Sequence, residues 1–133
     1  MLKPIDEVPK SAAILYSLLE ERTPEQSISH KEMPSFEDHV QFIASNPYLC
    51  WYIILDASLP VGAIYLTRQR EIGIGIFKGH KGRSYGKKAV RELIGMHPGK
   101  FLANVNPHNM PSHHFFQENF NTEVIQITYE CSI

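Results

Sequence analysis

One stretch constrains the chain more than any other: residues 71–93, EIGIGIFKGHKGRSYGKKAVREL. It begins as a short strand, with Ile72, Ile74 and Ile76 on one face and Gly73, Gly75 and Phe77 on the other. A basic, glycine-bearing loop follows over residues 78–85. From about Gly86 the spacing of Ala89, Val90, Leu93 and Ile94 predicts an amphipathic helix. A strand, a loop with free backbone N–H groups and a helix N-terminus form an anion site, because the unpaired amides and the positive end of the helix dipole point the same way. Lys81, Arg83, Lys87 and Lys88 add formal positive charge to that corner. The first reading is therefore a loop that holds the phosphates of a nucleotide-like cofactor.

Spacing removes two common phosphate motifs. A P-loop read back from Gly86-Lys87 needs glycine at position 81, where Lys81 stands, and Ser or Thr at position 88, where Lys88 stands. The dinucleotide fingerprint fails as well: after Gly73 and Gly75 its third glycine would fall on Lys78, and both glycines lie inside the strand.

The loop resembles the pyrophosphate loop of the GNAT superfamily, the large acyl-CoA-dependent group of N-acetyltransferases. The pattern of that family is Gln or Arg, two residues, Gly, one residue, then Gly or Ala, between a central strand and a helix. Here it reads Lys81-Gly82-Arg83-Ser84-Tyr85-Gly86: Gly86 matches, Lys81 is a basic stand-in, and Ser84 replaces the middle glycine. A plain glycine turn joining strand to helix is the competing reading of the loop alone.

The rest of the chain is consistent with a small enzyme domain. Its 133 residues fit one domain over 1–133 with a single core. A net charge of −1 argues against nucleic acid as the main partner, while the basic cluster at residues 78–91 suits a small polyanion. Only Cys50 and Cys131 are present, which suits free thiols in a reducing cytoplasm. No apolar run follows a basic start and none approaches ~20 residues, so neither a leader peptide nor a membrane span is expected.

Read in order, residues 1–5 suggest a strand, and Asp6, Glu7 and Pro9 suggest a helix start with Leu15, Leu18 and Leu19 on its apolar stripe. Residues 23–34 are polar and read as a functional loop holding His30. Ser35 caps a second helix, on which His39 is expected half-buried. Strands are expected at 49–55 (LCWYIIL), 61–67 and 71–77, with a hairpin turn over 56–60. After the central helix come a strand at 101–105, a short helix capped by Ser112 and a last strand at 122–130, TEVIQITYE. The order β-α-α-β-β-β-α-β-α-β describes a three-layer α/β (α+β) fold with a mixed, mostly antiparallel sheet, which is also the element order of the GNAT superfamily.

A second resemblance lies in NVNPHNMPSHHFFQENF, residues 104–120. GNAT enzymes often carry, after the fifth strand, Asn, two residues, Ser, three residues, then an aromatic, and here Asn109, Ser112 and Phe116 take those places. The resemblance implies that Asn109 bonds the pantetheine arm or a bridging water and that Ser112 caps the helix. It also exposes a departure: Phe116 stands where many relatives hold the tyrosine proposed to protonate the leaving thiolate. A phenyl ring cannot donate a proton, so Phe116 is expected to pack against the CoA arm, with Tyr85, Tyr129 or water left for the acid.

The implied reaction moves an acetyl group from acetyl-CoA to a primary amine of a small acceptor, such as an amino sugar or metabolite, by direct attack in a ternary complex. Cofactor contacts are expected from Ile76, Phe77, Lys78, Lys81, Gly82, Arg83, Ser84, Tyr85, Gly86, Lys87, Asn109, Ser112 and Phe116. Backbone groups at residues 76–78 would meet the pantetheine. Glu71 at the start of the central strand is the general-base candidate, with a solvated strand-end charge as the plain alternative, and His30 is the second candidate. His113 and His114 are adjacent on a helix and face different sides, so no metal is expected. The alternative is a non-catalytic GNAT-fold CoA-binding sensor or interaction protein. A sheet edge lacking the superfamily's usual final strand leaves open a homodimer through the C-terminal edge strand.

Overall fold

The structure, a computed structural model, describes residues 1–22 and 32–133. The elements are β1 (Leu2–Pro4), a 3-10 turn (Ile5–Glu7), α1 (Ser11–Glu20), α2 (Phe36–Ala44), β2 (Cys50–Asp56), β3 (Leu59–Leu66), β4 (Glu71–Ile76), a 3-10 turn (Lys78–His80), α3 (Tyr85–Met96), β5 (Leu102–Ala103) and α4 (Met110–Asn119). The strands form one sheet in the order β1-β2-β3-β4-β5, in which every pair is antiparallel except β4 with β5. α3 is the crossover that makes this last pair parallel, as the length of the connection requires.

Alternation in the strands divides the core between two faces. Ile54, Ile64, Leu66 and Ile72 pack with Ala89, Val90 and Leu93 of α3, while Ile53, Leu55 and Ala63 pack with Leu15 and Leu18 of α1. The aromatic residues of α4, Phe115 and Phe116, join the α3 side together with Phe120. Val90 and Leu93 have no exposed surface. Burying each stabilises the fold by about 1.5–3 kcal/mol. The three-layer α+β arrangement expected from the sequence is therefore the one observed.

Several local expectations change. Asp6 and Glu7 form a separate 3-10 turn, and α1 starts only at Ser11, after Lys10 in a left-handed conformation (φ 58°). The hairpin is tighter than expected: Asp56 pairs with Leu59, leaving Ala57 and Ser58 as the turn, and Pro60 sits in β3 beside a register shift after Ile54. Ser35 caps α2 as expected, its hydroxyl accepting from the Asp38 N–H at 3.1 Å. The cap of α4 is Asn109 rather than Ser112: the Asn109 Oδ1 accepts the Ser112 N–H at 3.2 Å. Residues 121–133 belong to no helix or strand and pair with none of the described strands, so the predicted last strand is absent from the sheet.

Arg70 fixes the geometry between α3 and β5. Its Nε donates to the Lys100 carbonyl at 2.6 Å and its NH2 group to the His97 carbonyl at 2.8 Å. Its own carbonyl accepts the Leu102 N–H at 2.8 Å. One side chain thus closes the C-terminal end of α3 and sets β5 beside the start of β4.

Candidate active site

β4 has an open edge where it leaves β5. Thr67 N–H donates to the Glu71 carbonyl at 2.8 Å and Phe77 N–H to the Val61 carbonyl at 2.9 Å. Odd-numbered residues of β4 therefore bond to β3, and Ile72, Ile74 and Ile76 turn their backbone groups the other way. On that side β5 is in register only with Glu71 and Ile72. Beyond Ala103 the strands part, leaving the N–H and C=O groups of Ile74 and Ile76 facing a cleft of about 870 Å³. An unpaired polar edge that lines a cleft suits a ligand that can hydrogen-bond along it.

The same cleft runs to the basic loop. Gly82 (φ 79°) and Ser84 (φ 65°) both take positive φ, and α3 begins directly after them. Ser84 carries no side-chain cap, and the amides of residues 82–87 find no acceptor among the described residues. The left-handed backbone at Ser84 explains why glycine is the usual residue there in the pattern this loop resembles; a serine in that conformation costs about 1 kcal/mol. At Gly86 an added Cβ would lie 3.3 Å from Phe115 Cε2, so this glycine also allows α4 to close on the N-terminus of α3.

The cleft brings together nearly all the residues singled out from the sequence. Glu71, Asn109, Ser112, Phe116 and most of the loop line it, whereas Phe77 and Arg83 do not. Two backbone donors expected for the ligand are engaged within the chain: the Phe77 N–H by Val61, and the Lys78 N–H by Glu21 Oε1 at 2.8 Å. Among the described residues, the unbonded donors on this edge are those of Ile74 and Ile76. Asn109 spends Oδ1 on its cap, which leaves its NH2 group available.

Glu71 is held by both strands. Asn104 Nδ2 donates to its Oε2 at 2.5 Å, and Thr67 Oγ1 donates to its Oε1 at 3.4 Å. The Tyr85 hydroxyl donates to Asp56 Oδ2 at 2.5 Å, and that hydrogen bond raises the pKa of the phenol. Tyr129 is 79% exposed on the unpaired tail, away from the cleft. Of the two tyrosines considered as substitutes for the missing acid, only Tyr85 reaches the site, and its proton is committed to Asp56.

A second cavity of about 250 Å³ opens on the α1–α2 face of the sheet. Its walls include Phe42, Tyr48, Trp51 and Tyr65, with Asp38 and Glu32 as acids. Tyr48 and Tyr65 stack with centroids 3.8 Å apart, and burial pushes the Tyr48 phenol up. The two cavities share Gly73, Ile74 and Gly75. His30, expected on this side, lies outside the described residues. His39, expected half-buried, is buried: it is only 6% exposed, lines this cavity, and its Nε2 finds no hydrogen-bond partner among the described residues. Desolvation lowers its pKa.

Sequence reasoning missed Tyr65 and Arg22 at the junction of these cavities, and Glu21 in the larger cleft. The available signal was the alternation of glycine with isoleucine in β4, which empties one face of the strand so that a ring from a neighbouring strand can lie across it. Among the described residues, no group of three or more His, Cys, Asp or Glu could hold a metal ion, and no helix is long and apolar enough to cross a membrane.

Comparison with known proteins agrees with this architecture. No curated protein matches the chain significantly. An acetyltransferase from Thermus thermophilus superposes with a TM-score of 0.64 at 23% identity, covering 89% of this chain and 83% of that one. An aminoglycoside 6′-N-acetyltransferase from Acinetobacter haemolyticus gives 0.69 at 12% identity, covering 100% and 98%. A putative acetyltransferase from Agrobacterium tumefaciens gives 0.60 at 21% identity, covering 97% and 99%. These three share the fold. The profile of the acetyltransferase (GNAT) family matches residues 13–121, which includes the splayed strands, the amide-rich loop and α4, and the chain belongs to that family.

Proposed function

We propose that this domain, spanning residues 1–133, is an N-acetyltransferase that carries an acetyl group from acetyl-CoA to a primary amine of a small acceptor. The reading rests chiefly on one observation: a cleft with an unpaired strand edge and unbonded loop amides meets an aromatic-walled cavity at residues 73–75. A site for a CoA arm and a site for an amine would then adjoin along residues 73–75 of β4, with Phe42, Tyr48 and Tyr65 bordering both. The residues fit the cofactor. The amides of residues 82–87, with Lys81 and Lys87, suit a pyrophosphate, and the edge of Ile74 and Ile76 suits the amide groups of a pantetheine.

When bound, acetyl-CoA supplies an acetyl group activated as a thioester. The chain supplies orientation and charge stabilisation. One N–H of Ile74 or Ile76 would donate to the thioester carbonyl oxygen, an effect worth ~3 kcal/mol in other acyl transfers. The attacking amine gives its proton to Glu71, directly or through water, and Asn104 and Thr67 hold that carboxylate in place. Phe116 would pack against the arm, and water would protonate the leaving thiolate, whose reference pKa lies near ~8.5. His30 is the second base candidate. The half-buried Cys50 and exposed Cys131, both unpaired, suit a cytoplasmic enzyme.

A second reading keeps the fold and drops the catalysis: a CoA-binding sensor or interaction protein. Phe116 in place of a proton donor favours it. Thiol release from acetyl-CoA across a panel of amines, aminoglycosides included, separates the two. Amine-dependent release supports acetyl transfer, and tight CoA binding without release on any amine supports the sensor.

A further inference from the structure

The sheet face toward α1 and α2 steps down from β2 to β4. Trp51, Tyr65 and Gly73 are cross-strand partners in one row, and Ile53, Ala63 and Gly75 in another. Large side chains on β2 thus give way to bare backbone on β4, and the cavity of about 250 Å³ occupies that step. Phe42 of α2 and Tyr48, just ahead of β2, complete an aromatic wall. Trp51 packs edge-on against Tyr48 with centroids 4.8 Å apart and against Phe42 at 6.2 Å, and Tyr48 stacks on Tyr65. Rings braced against one another keep their shape before any ligand arrives, which lowers the ordering cost of binding. Where the cavity meets the cleft, the tip of Tyr65 lies over Gly73, and Leu18 Cδ2 lies 3.2 Å from a Cβ added at Gly75.

This wall offers an occupant size, flatness and charge but few hydrogen bonds. Leu15, Leu19, Trp51 and Ala63 line only this cavity, and the charged side chains among its described residues, Arg22, Glu32 and Asp38, are exposed. Burial and the adjoining Tyr65 phenol push the Tyr48 phenol up, so these two hydroxyls already face one another. A body studded with hydroxyls would leave most of them unpaired, and each one buried so lowers affinity about tenfold. A flat apolar body loses nothing there. Two acids against one guanidinium favour a cation over an anion, as aromatic faces also do. Burial holds His39 below its ordinary pKa, so it adds no positive charge at neutral pH. An apolar cavity of about 150 Å³ holds a benzene ring, so the larger volume here has room for a ring and a short arm.

We propose that this cavity selects the acceptor, a primary amine on a short arm of an aromatic or similarly flat apolar ring, with the ring against Trp51 and Phe42 and the nitrogen at Gly73 and Gly75. The assignment rests on the acetyl-transfer reading and narrows its acceptor from small amines in general to this class. Glu71 and Gly73 lie two positions apart on one strand and so share a side of the sheet. The nitrogen of such an amine therefore arrives on the same side of β4 as the carboxylate that takes its proton. Specificity falls to Phe42, Tyr48, Trp51 and Tyr65, and an amino sugar of similar size is a poor acceptor.

Trp51 is the one tryptophan of the chain, so its emission reports on the cavity without any turnover. Titration of the full chain with 2-phenylethylamine, coenzyme A present, should change that emission saturably, at concentrations about tenfold or more below those needed for D-glucosamine. Phe42→Ala, at a helix position 40% exposed, should raise the half-saturating concentration about tenfold with an unchanged far-ultraviolet spectrum. In thiol release from acetyl-CoA, kcat/KM for 2-phenylethylamine should exceed that for D-glucosamine by about tenfold or more. Equal or faster turnover of D-glucosamine would overturn the proposal and leave acetyl transfer standing. A saturable emission change without thiol release from any amine would keep the ligand class and remove the acetyl-transfer reading. No emission change at millimolar 2-phenylethylamine, or an unshifted titration in Phe42→Ala, would overturn the proposal whatever the enzyme acetylates.

Discussion

The ring of Tyr65 lies over Gly73: a Cβ added at Gly73 would sit 2.0 Å from Tyr65 Cζ and 2.4 Å from its hydroxyl. The pair are cross-strand partners in β3 and β4, and both line the two cavities at their junction. Gly73→Ala must therefore push the ring aside. Overpacking of this kind costs about 1–3 kcal/mol, read as a lower midpoint in urea. The displaced ring should also raise KM for the amine more than KM for acetyl-CoA. An unchanged amine KM would mean that Tyr65 does not border the acceptor.

Gly86 separates two glycine roles. With Phe115 Cε2 at 3.3 Å from the added Cβ, alanine needs a shift of a few tenths of an ångström, while valine adds two methyl groups to the same wall. Gly86→Ala should bind acetyl-CoA nearly normally. Gly86→Val should weaken binding by about tenfold or more, equivalent to at least ~1.4 kcal/mol. Calorimetric titration of both variants gives the comparison, and equal affinities would remove Gly86 from the cofactor site.

Ser84 is a strained residue whose φ glycine adopts freely. Ser84→Gly should relieve about 1 kcal/mol of left-handed strain, partly offset by the greater freedom of glycine in the unfolded chain. A rise in Tm of up to about 4 °C is expected. Acetyl-CoA affinity should stay unchanged or improve, and a marked loss would assign the hydroxyl a direct contact.

Glu71→Gln tests the proton acceptor. The amide oxygen can keep the Asn104 Nδ2 donation, and the new NH2 group faces Thr67 Oγ1, a hydroxyl that can accept instead of donate, so the fold is retained. If Glu71 takes the amine proton, kcat should fall about 10²–10⁴-fold with little change in KM for acetyl-CoA. A kcat near that of the parent protein would leave Glu71 as a tie between β4 and β5.

His39 predicts an acid-side change in stability. Its folded-state pKa lies below 6.5 because burial disfavours the imidazolium. The neutral form is thus favoured on folding, and the associated stability is fully present above pH 6.5 and lost as pH falls through the lower folded value. Asp38 and Glu32 line the same cavity, so the comparison requires a variant. Urea midpoints measured from pH 7.5 to 5.0 should fall less steeply for His39→Phe than for the parent chain. Parallel curves would show that His39 is not the group responsible.

Local pattern made much of this fold legible, and long-range contact explains most of what was not. The β-branched and aromatic run LCWYIIL and the alternation in EIGIGI gave the right strands: β2 buries Ile54 against α3 and Ile53 and Leu55 against α1, and β4 buries Ile72 against α3. Ser35 was identifiable as a cap from its own hydroxyl and Asp38. At α4 the same chemistry was ambiguous, since Asn109 and Ser112 both favour a cap and only the backbone path decides between them. TEVIQITYE has the pattern of a strand, but a strand needs a neighbour that composition cannot supply. The parting of β5 from β4 after two residues, which frees Ile74 and Ile76, had no signature in the sequence. The engagement of Lys78 N–H by Glu21, 57 positions away, had none either.

The central claim is that the cleft between β4 and β5 takes an acyl-CoA and presents it to an amine. Calorimetric titration with acetyl-CoA, ATP and NAD tests this most directly. The account predicts saturable binding of acetyl-CoA near micromolar Kd, with no measurable binding of the two nucleotides under the same conditions. Binding of ATP or NAD without binding of acetyl-CoA would contradict it.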